Sequence, residues 1–206
     1  MIFSLSIPKR LKRSKVQLLP HIQNLLWKYF TIRTTSRFGR DYHEIVNYDD
    51  CPVWVLMELL SFGSIINFYL DYYGSRGISH IPKEVLNLVR SLRNAAAHNN
   101  CILSDLNSKT TVSTQVIIDF VKSIEGITKS SRRKKLSSRA VLEFVALIYV
   151  YDKFVTGKVR KHRLQELNLL INKRMIEKSG FFRENDLISS TYKFIHHIVT
   201  FLILSK

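Results

Sequence analysis

Apolar residues recur at three- and four-residue spacings over much of the chain, and no stretch alternates as a half-buried strand would. The first helical stripe is Leu18, Ile22, Leu25, Leu26 and Tyr29, predicting a helix over Val16–Ile32 with Pro20 in its opening turn, where a missing N–H costs little. A polar loop follows over residues 36–52. Val53 to about Tyr72 is apolar nearly all round and predicts a central buried helix, with Gly63 in its middle. The Gly74-Ser75-Arg76-Gly77 turn leads to a helix opening at Pro82, whose Val85, Leu86, Val89, Leu92 and Ala96 form a core-facing stripe.

Beyond a polar stretch at 104–114, shorter periodic runs predict helices over Val116–Ile124, Ala140–Val155, Arg160–Lys178 and Asn185–Leu204. Phe144, Leu147, Ile148 and Tyr151 supply apolar positions in the second of these, and Leu164, Leu167, Leu170 and Ile171 point inward in the third. Residues 129–139 are read as a basic loop. With seven glycines and four prolines in 206 residues, little interrupts the helical pattern, so the expected class is all-α. The expected organisation is a basic N-terminal arm and first helix (1–35) followed by a single helical-bundle domain (36–206).

Charge changes this picture more than composition does. Thirty-two Lys and Arg against sixteen Asp and Glu give a net charge of +16, a surplus that repels itself unless a polyanion is bound. The excess is clustered: residues 1–40 hold nine basic residues and no acid. RNA is the expected partner. Its phosphates would be met by Lys9, Arg10, Lys12 and Arg13 in the arm and by Arg132, Arg133, Lys134 and Lys135 in the basic loop. Tyr42, Tyr48, Tyr72 and Tyr73 are candidate stacking residues, although aromatics beside apolar helices more often belong to a core.

Cys51 and Cys101 are far apart and lack metal-ligand spacing; they read as buried thiols of a reducing compartment. His196-His197 has no other ligand-type neighbours, so neither metal nor cofactor is expected. The apolar start at Met1–Ile7 precedes its positive charges, unlike a signal peptide, and no uninterrupted apolar run reaches membrane-spanning length, so a soluble cytoplasmic protein without membrane contact is expected.

The chemically suggestive segment is Arg93-Asn94-Ala95-Ala96-Ala97-His98-Asn99-Asn100. On a helix Asn94 and His98 share a face, with Arg93 about 100° round from Asn94. Asn99-Asn100 predicts the helix end, and three alanines keep the surrounding surface low. Histidine suits proton transfer near neutrality, and arginine grips phosphate oxygens as charge accumulates. Together they fit RNA cleavage by the ribose 2′-OH without a metal ion. One imidazole does not readily serve as base and acid in a single step, so a homodimer with two facing motifs is expected. The spacing alone is equally compatible with a helix-terminal arginine favoured by the dipole and a capping histidine. Glu58, in an otherwise apolar run, needs a partner; it pairs with Arg93, which it would position, or with another buried donor, and a structural role is favoured.

Taken in order, Phe38-Gly39-Arg40-Asp41-Tyr42-His43, Tyr48-Asp49-Asp50-Cys51-Pro52-Val53-Trp54, Glu58, Ser61-Phe62-Gly63 and Leu92-Arg93-Asn94-Ala95-Ala96-Ala97-His98-Asn99 resemble the Abi-like (AbiD/AbiF) abortive-infection family of the HEPN superfamily of helical ribonucleases. The similarity extends from about residue 20 to the C-terminus. It implies a HEPN-like bundle and a ribonuclease toxin of anti-phage defence or a toxin–antitoxin pair, held in check by a structured RNA. In that reading Arg93 and His98 are catalytic, with Asn94, Asn99 and Glu58 in support. Asn100 stands where nucleotidylated HEPN toxins carry tyrosine, which argues against a nucleotidyltransferase antitoxin. The rival expectation is a non-catalytic module that holds a structured RNA on the same basic surface.

Overall fold

The computed structural model describes residues 60–74, 76–78, 81–101, 103, 106–107 and 113–204. The expectations for the basic arm with Lys9, Arg10, Lys12 and Arg13, the first helix, the 36–52 loop and Glu58 fall outside these residues. Two compact units divide between Arg76 and Gly77. Among the described residues the regular elements are helices, seven α-helices of eight residues or more with short helical turns between the last two, and none is a strand, so the chain is all-α.

The described part of the first unit is helix α1, Phe62–Gly74. Leu60 and Ser61 are not helical, which corrects the expectation of one helix running from Val53 to Tyr72. The cause is local. The Ser61 hydroxyl accepts the Ser64 N–H at 3.1 Å and the Ser61 carbonyl accepts the Ile65 N–H at 2.9 Å, so Ser61 starts a helix at this point. Gly63 therefore lies in a first turn and interrupts no helix middle. Towards the end of α1, the Tyr73 ring meets Tyr69 tilted and Tyr72 edge-on, and the Arg76 guanidinium lies 4.2 Å over the Tyr72 ring.

The second unit contains α2 (Lys83–Ala97), α3 (Gln115–Lys122), α4 (Lys129–Leu136), α5 (Arg139–Phe154), α6 (Gly157–Leu169) and α7 (Asp186–Leu204). Helix α5 is the hub: it packs on α2, α3, α4 and α7, most extensively on α2. Its Val141, Leu142, Val145, Ala146, Ile148 and Tyr149 are buried, a distribution that leaves it little solvent-facing side. Helix α2 contributes Val85, Leu86, Leu88, Val89 and Leu92. Ala96 and Leu147, expected to face inward, are exposed. Helix α7 buries Thr191, Phe194, Ile198, Val199 and Leu202. By length and composition α7 is apolar enough to cross a bilayer, and it packs on α4, α5 and α6.

Residues 129–136 form a helix where a loop was expected. Thr128 caps it by accepting the Ser131 N–H at 3.2 Å, lysine and arginine are good helix formers, and three basic residues in the last turn complement the negative end of the dipole. Lys135 is buried on this helix. Its ammonium donates to Ser190 Oγ at 2.6 Å and Thr191 Oγ1 at 2.9 Å, both on α7. Burial first, and the neighbouring Lys134 charge second, hold its pKa below the ordinary 10.5. Between the lowered value and 10.5 the unfolded chain binds a proton that the folded chain does not, so stability rises with pH through that window. The stability of the natural chain minus that of Lys135→Met should therefore climb as pH rises towards 10.5 in urea titrations. A difference flat across that range would count against a buried, proton-shedding ammonium.

The charged segment after Thr156 also departs from one regular helix. After Leu169 it passes through a π-helical turn, Leu170–Arg174, and ends with Met175–Glu177. Two bonds from α7 fit this irregularity: Tyr192 donates to the Ile171 carbonyl at 3.1 Å, and His196 Nε2 lies 2.8 Å from Asn172 Oδ1. Ile171 is buried as expected, whereas Leu170, about 120° round the helix from Leu164, is 42% exposed.

Candidate active site at the end of helix α2

The last turn of α2 closes as a Schellman motif. Asn99 adopts φ +54, the left-handed conformation that asparagine tolerates better than most residues. The Asn100 N–H then reaches back to the Ala95 carbonyl at 2.9 Å and the Asn99 N–H to the Ala96 carbonyl at 3.2 Å, while the His98 N–H completes the last α-helical bond to Asn94 at 3.0 Å. His98 is thus the C-cap, fixed in backbone and exposed in side chain. The helix end predicted from Asn99-Asn100 lies where expected.

Arg93, Asn94, Ala97 and His98 are all exposed, as is Arg90 one turn earlier. Arg93 Nη1 donates to Asn94 Oδ1 at 3.3 Å, so the amide sits between the guanidinium and the face that carries His98. Among the described residues neither Arg90 nor Arg93 makes an ion pair, and the only acid on α2 is Glu84 in its first turn. Asn99 supports the site through its backbone, by ending the helix directly after the imidazole. The arrangement offers two guanidinium groups, an amide and an imidazole to a ligand approaching from solvent over a surface lowered by alanine.

Of the four basic residues expected to contact phosphates on α4, Arg133 and Lys134 are exposed and Arg132 is partly so, but Lys135 is turned into the core and bonded there. Sequence reading missed that inward turn; the only signal was the neighbouring Leu136, also buried, which marks the inner side of a short helix. Sequence reading also left out Arg90. Its signal was the i, i+3, i+4, i+8 spacing it shares with Arg93, Asn94 and His98. A cavity of about 630 Å³ beside Gly157, Arg160, Lys161 and Gln165 shares no lining residue with the end of α2. Cys101, read as buried, is exposed.

Fold and site together define a basic all-α protein that presents an arginine–asparagine–histidine cluster at a capped helix end. Residues 7–104 match the model of the Abi-like protein family. The matched stretch includes α1 and all of α2 with Arg93, Asn94 and His98, and stops short of α3. No curated protein and no solved structure matches the chain.

Proposed function

We propose that the chain is a metal-independent endoribonuclease of the HEPN type, acting as a toxin in abortive-infection defence against phage and restrained by a structured RNA. The observation that carries this reading is the exposed Arg93-Asn94-x3-His98 cluster inside the stretch matched by the Abi-like family. In the proposed reaction an imidazole takes the proton of a ribose 2′-OH, whose oxygen bonds to the adjacent phosphorus. The bond from phosphorus to the 5′-oxygen breaks, and a second imidazole protonates that oxygen. The products are a 2′,3′-cyclic phosphate and a 5′-hydroxyl. Arg93 stabilises charge on the phosphorane, and Asn94 positions Arg93. The two imidazoles are His98 and the partner's His98 in a homodimer.

The test is cleavage of end-labelled RNA by the purified chain in excess chelator. Undiminished cleavage yielding cyclic-phosphate ends is expected. RNA that is bound and remains intact would sink the nuclease reading and favour the second one, a non-catalytic RNA-binding module, which the +16 charge supports independently. Cleavage that stops in chelator would place the chemistry on a metal and away from this mechanism.

A further inference from the structure

We infer that Arg90 is an additional substrate-binding residue that holds the phosphate next to the scissile one, so that the substrate is an RNA strand spanning at least two consecutive phosphodiesters. This rests on the nuclease reading of Arg93 and His98 and extends it. The argument begins with helix geometry. At about 100° per residue, and taking Arg90 as reference, Ala97 falls about 20° to one side and Arg93 about 60° to that side, with Asn94 about 40° and His98 about 80° to the other. Arg90 therefore has an azimuth between the proposed phosphate-gripping and proton-transferring groups, one turn towards the start of the helix. The C-terminal end of the same strip is floored by the Ala97 methyl. All five side chains are exposed, whereas Leu86, one turn before Arg90, is buried. The result is a shallow track with Arg93 on one wall, Asn94 and His98 on the other and Arg90 one turn towards the helix start.

Charge supports the same assignment. Arg90 and Arg93 are like charges at i and i+3, an arrangement that destabilises a bare helix and that an anion between them relieves. Arg90 is also too far from the last turn to gain from the helix dipole, which removes the simplest structural reason for a cation there. An anion near a helix C-terminus would ordinarily face free carbonyls. Here the Asn94, Ala95 and Ala96 carbonyls are each occupied by an N–H of His98, Asn100 or Asn99, so the repulsion at this end is reduced. A guanidinium suits the task because its fork grips two phosphate oxygens at once.

The experiment compares two substrates. One is a dinucleoside monophosphate, with a single phosphodiester; the other is a short single-stranded RNA. Arg90→Ala should raise KM for the longer RNA about tenfold with kcat retained, leave the dinucleoside monophosphate unaffected, and be partly rescued by Arg90→Lys. Binding of the longer RNA to the His98→Ala chain should show a salt dependence whose slope falls by about one on adding Arg90→Ala. A KM within twofold of the natural chain for the longer RNA, or equal losses on both substrates, would overturn the assignment while leaving the nuclease reading intact. Should the natural chain cleave neither substrate, the nuclease reading fails, and an unchanged salt slope would then remove Arg90 as a phosphate contact as well.

Discussion

Replacing His98 with alanine is expected to slow RNA cleavage by about 10²- to 10⁴-fold, the range that a positioned proton-transfer group supplies, while leaving RNA binding and the helical content unchanged. The expectation of an intact fold follows from where His98 stands. Its side chain is exposed, and its structural contribution is a backbone N–H to the Asn94 carbonyl, which alanine also provides. Arg93→Ala should fall by about 10²- to 10³-fold, as when a donor to a developing oxyanion is removed, and Arg93→Lys should recover only part of this because an ammonium cannot make the two-pronged contact. Asn94→Ala should lose less, since it removes only the 3.3 Å restraint on the Arg93 guanidinium. Single-turnover rates with saturating protein, alongside circular dichroism, separate these effects. A His98→Ala chain that cleaves within tenfold of the natural rate would remove histidine from the chemistry.

Much of α2 was legible because its two faces obey different rules. Val85, Leu86, Val89 and Leu92 follow the helical period and are buried, and Asn99-Asn100 is a stop signal whose left-handed conformation the structure displays. Arg93, Asn94 and His98 were legible as candidates because polar residues with chemical uses share the opposite face. The failures lie where tertiary packing or a single hydroxyl outweighs a local pattern. The Lys-Arg run after Thr128 has no apolar stripe to betray a helix, yet one cap and one buried turn suffice to form α4. The apolar run before Ser61 hid a helix start, since periodicity records apolar faces and is silent about a serine that captures the Ser64 N–H. Lys135 was misjudged because composition places lysine in water, whereas two hydroxyls of α7 accept its ammonium. Leu170 was misjudged because it lies about 120° round the helix from Leu164, at the edge of the stripe that Ile171 continues inward.

Leu92→Ala is expected to cost about 2–5 kcal/mol of folding stability, the usual range for truncating a buried leucine, and to lower the melting midpoint by roughly 4–20 °C. Leu92 is 6% exposed and lies about 160° round α2 from Arg90, on the stripe with Val85 and Val89. It therefore acts on the fold from the face opposite the candidate site. Leu92→Met, which conserves volume, should cost less than about 1.5 kcal/mol. Thermal and urea denaturation measure both. Well below its midpoint, folded Leu92→Ala should cleave RNA at close to the natural rate, whereas His98→Ala should keep the natural midpoint and lose turnover. The two substitutions thus fail in opposite ways if α2 is a rigid support for chemistry displayed on its outer face. A Leu92→Ala chain whose midpoint moves by less than about 2 °C would mean that α2 lies outside the cooperative core. One that melts as expected but loses turnover while still folded would mean that the outer face depends on the exact seating of the helix, since a shift of about 1 Å in a reacting group can cost some 10² in rate.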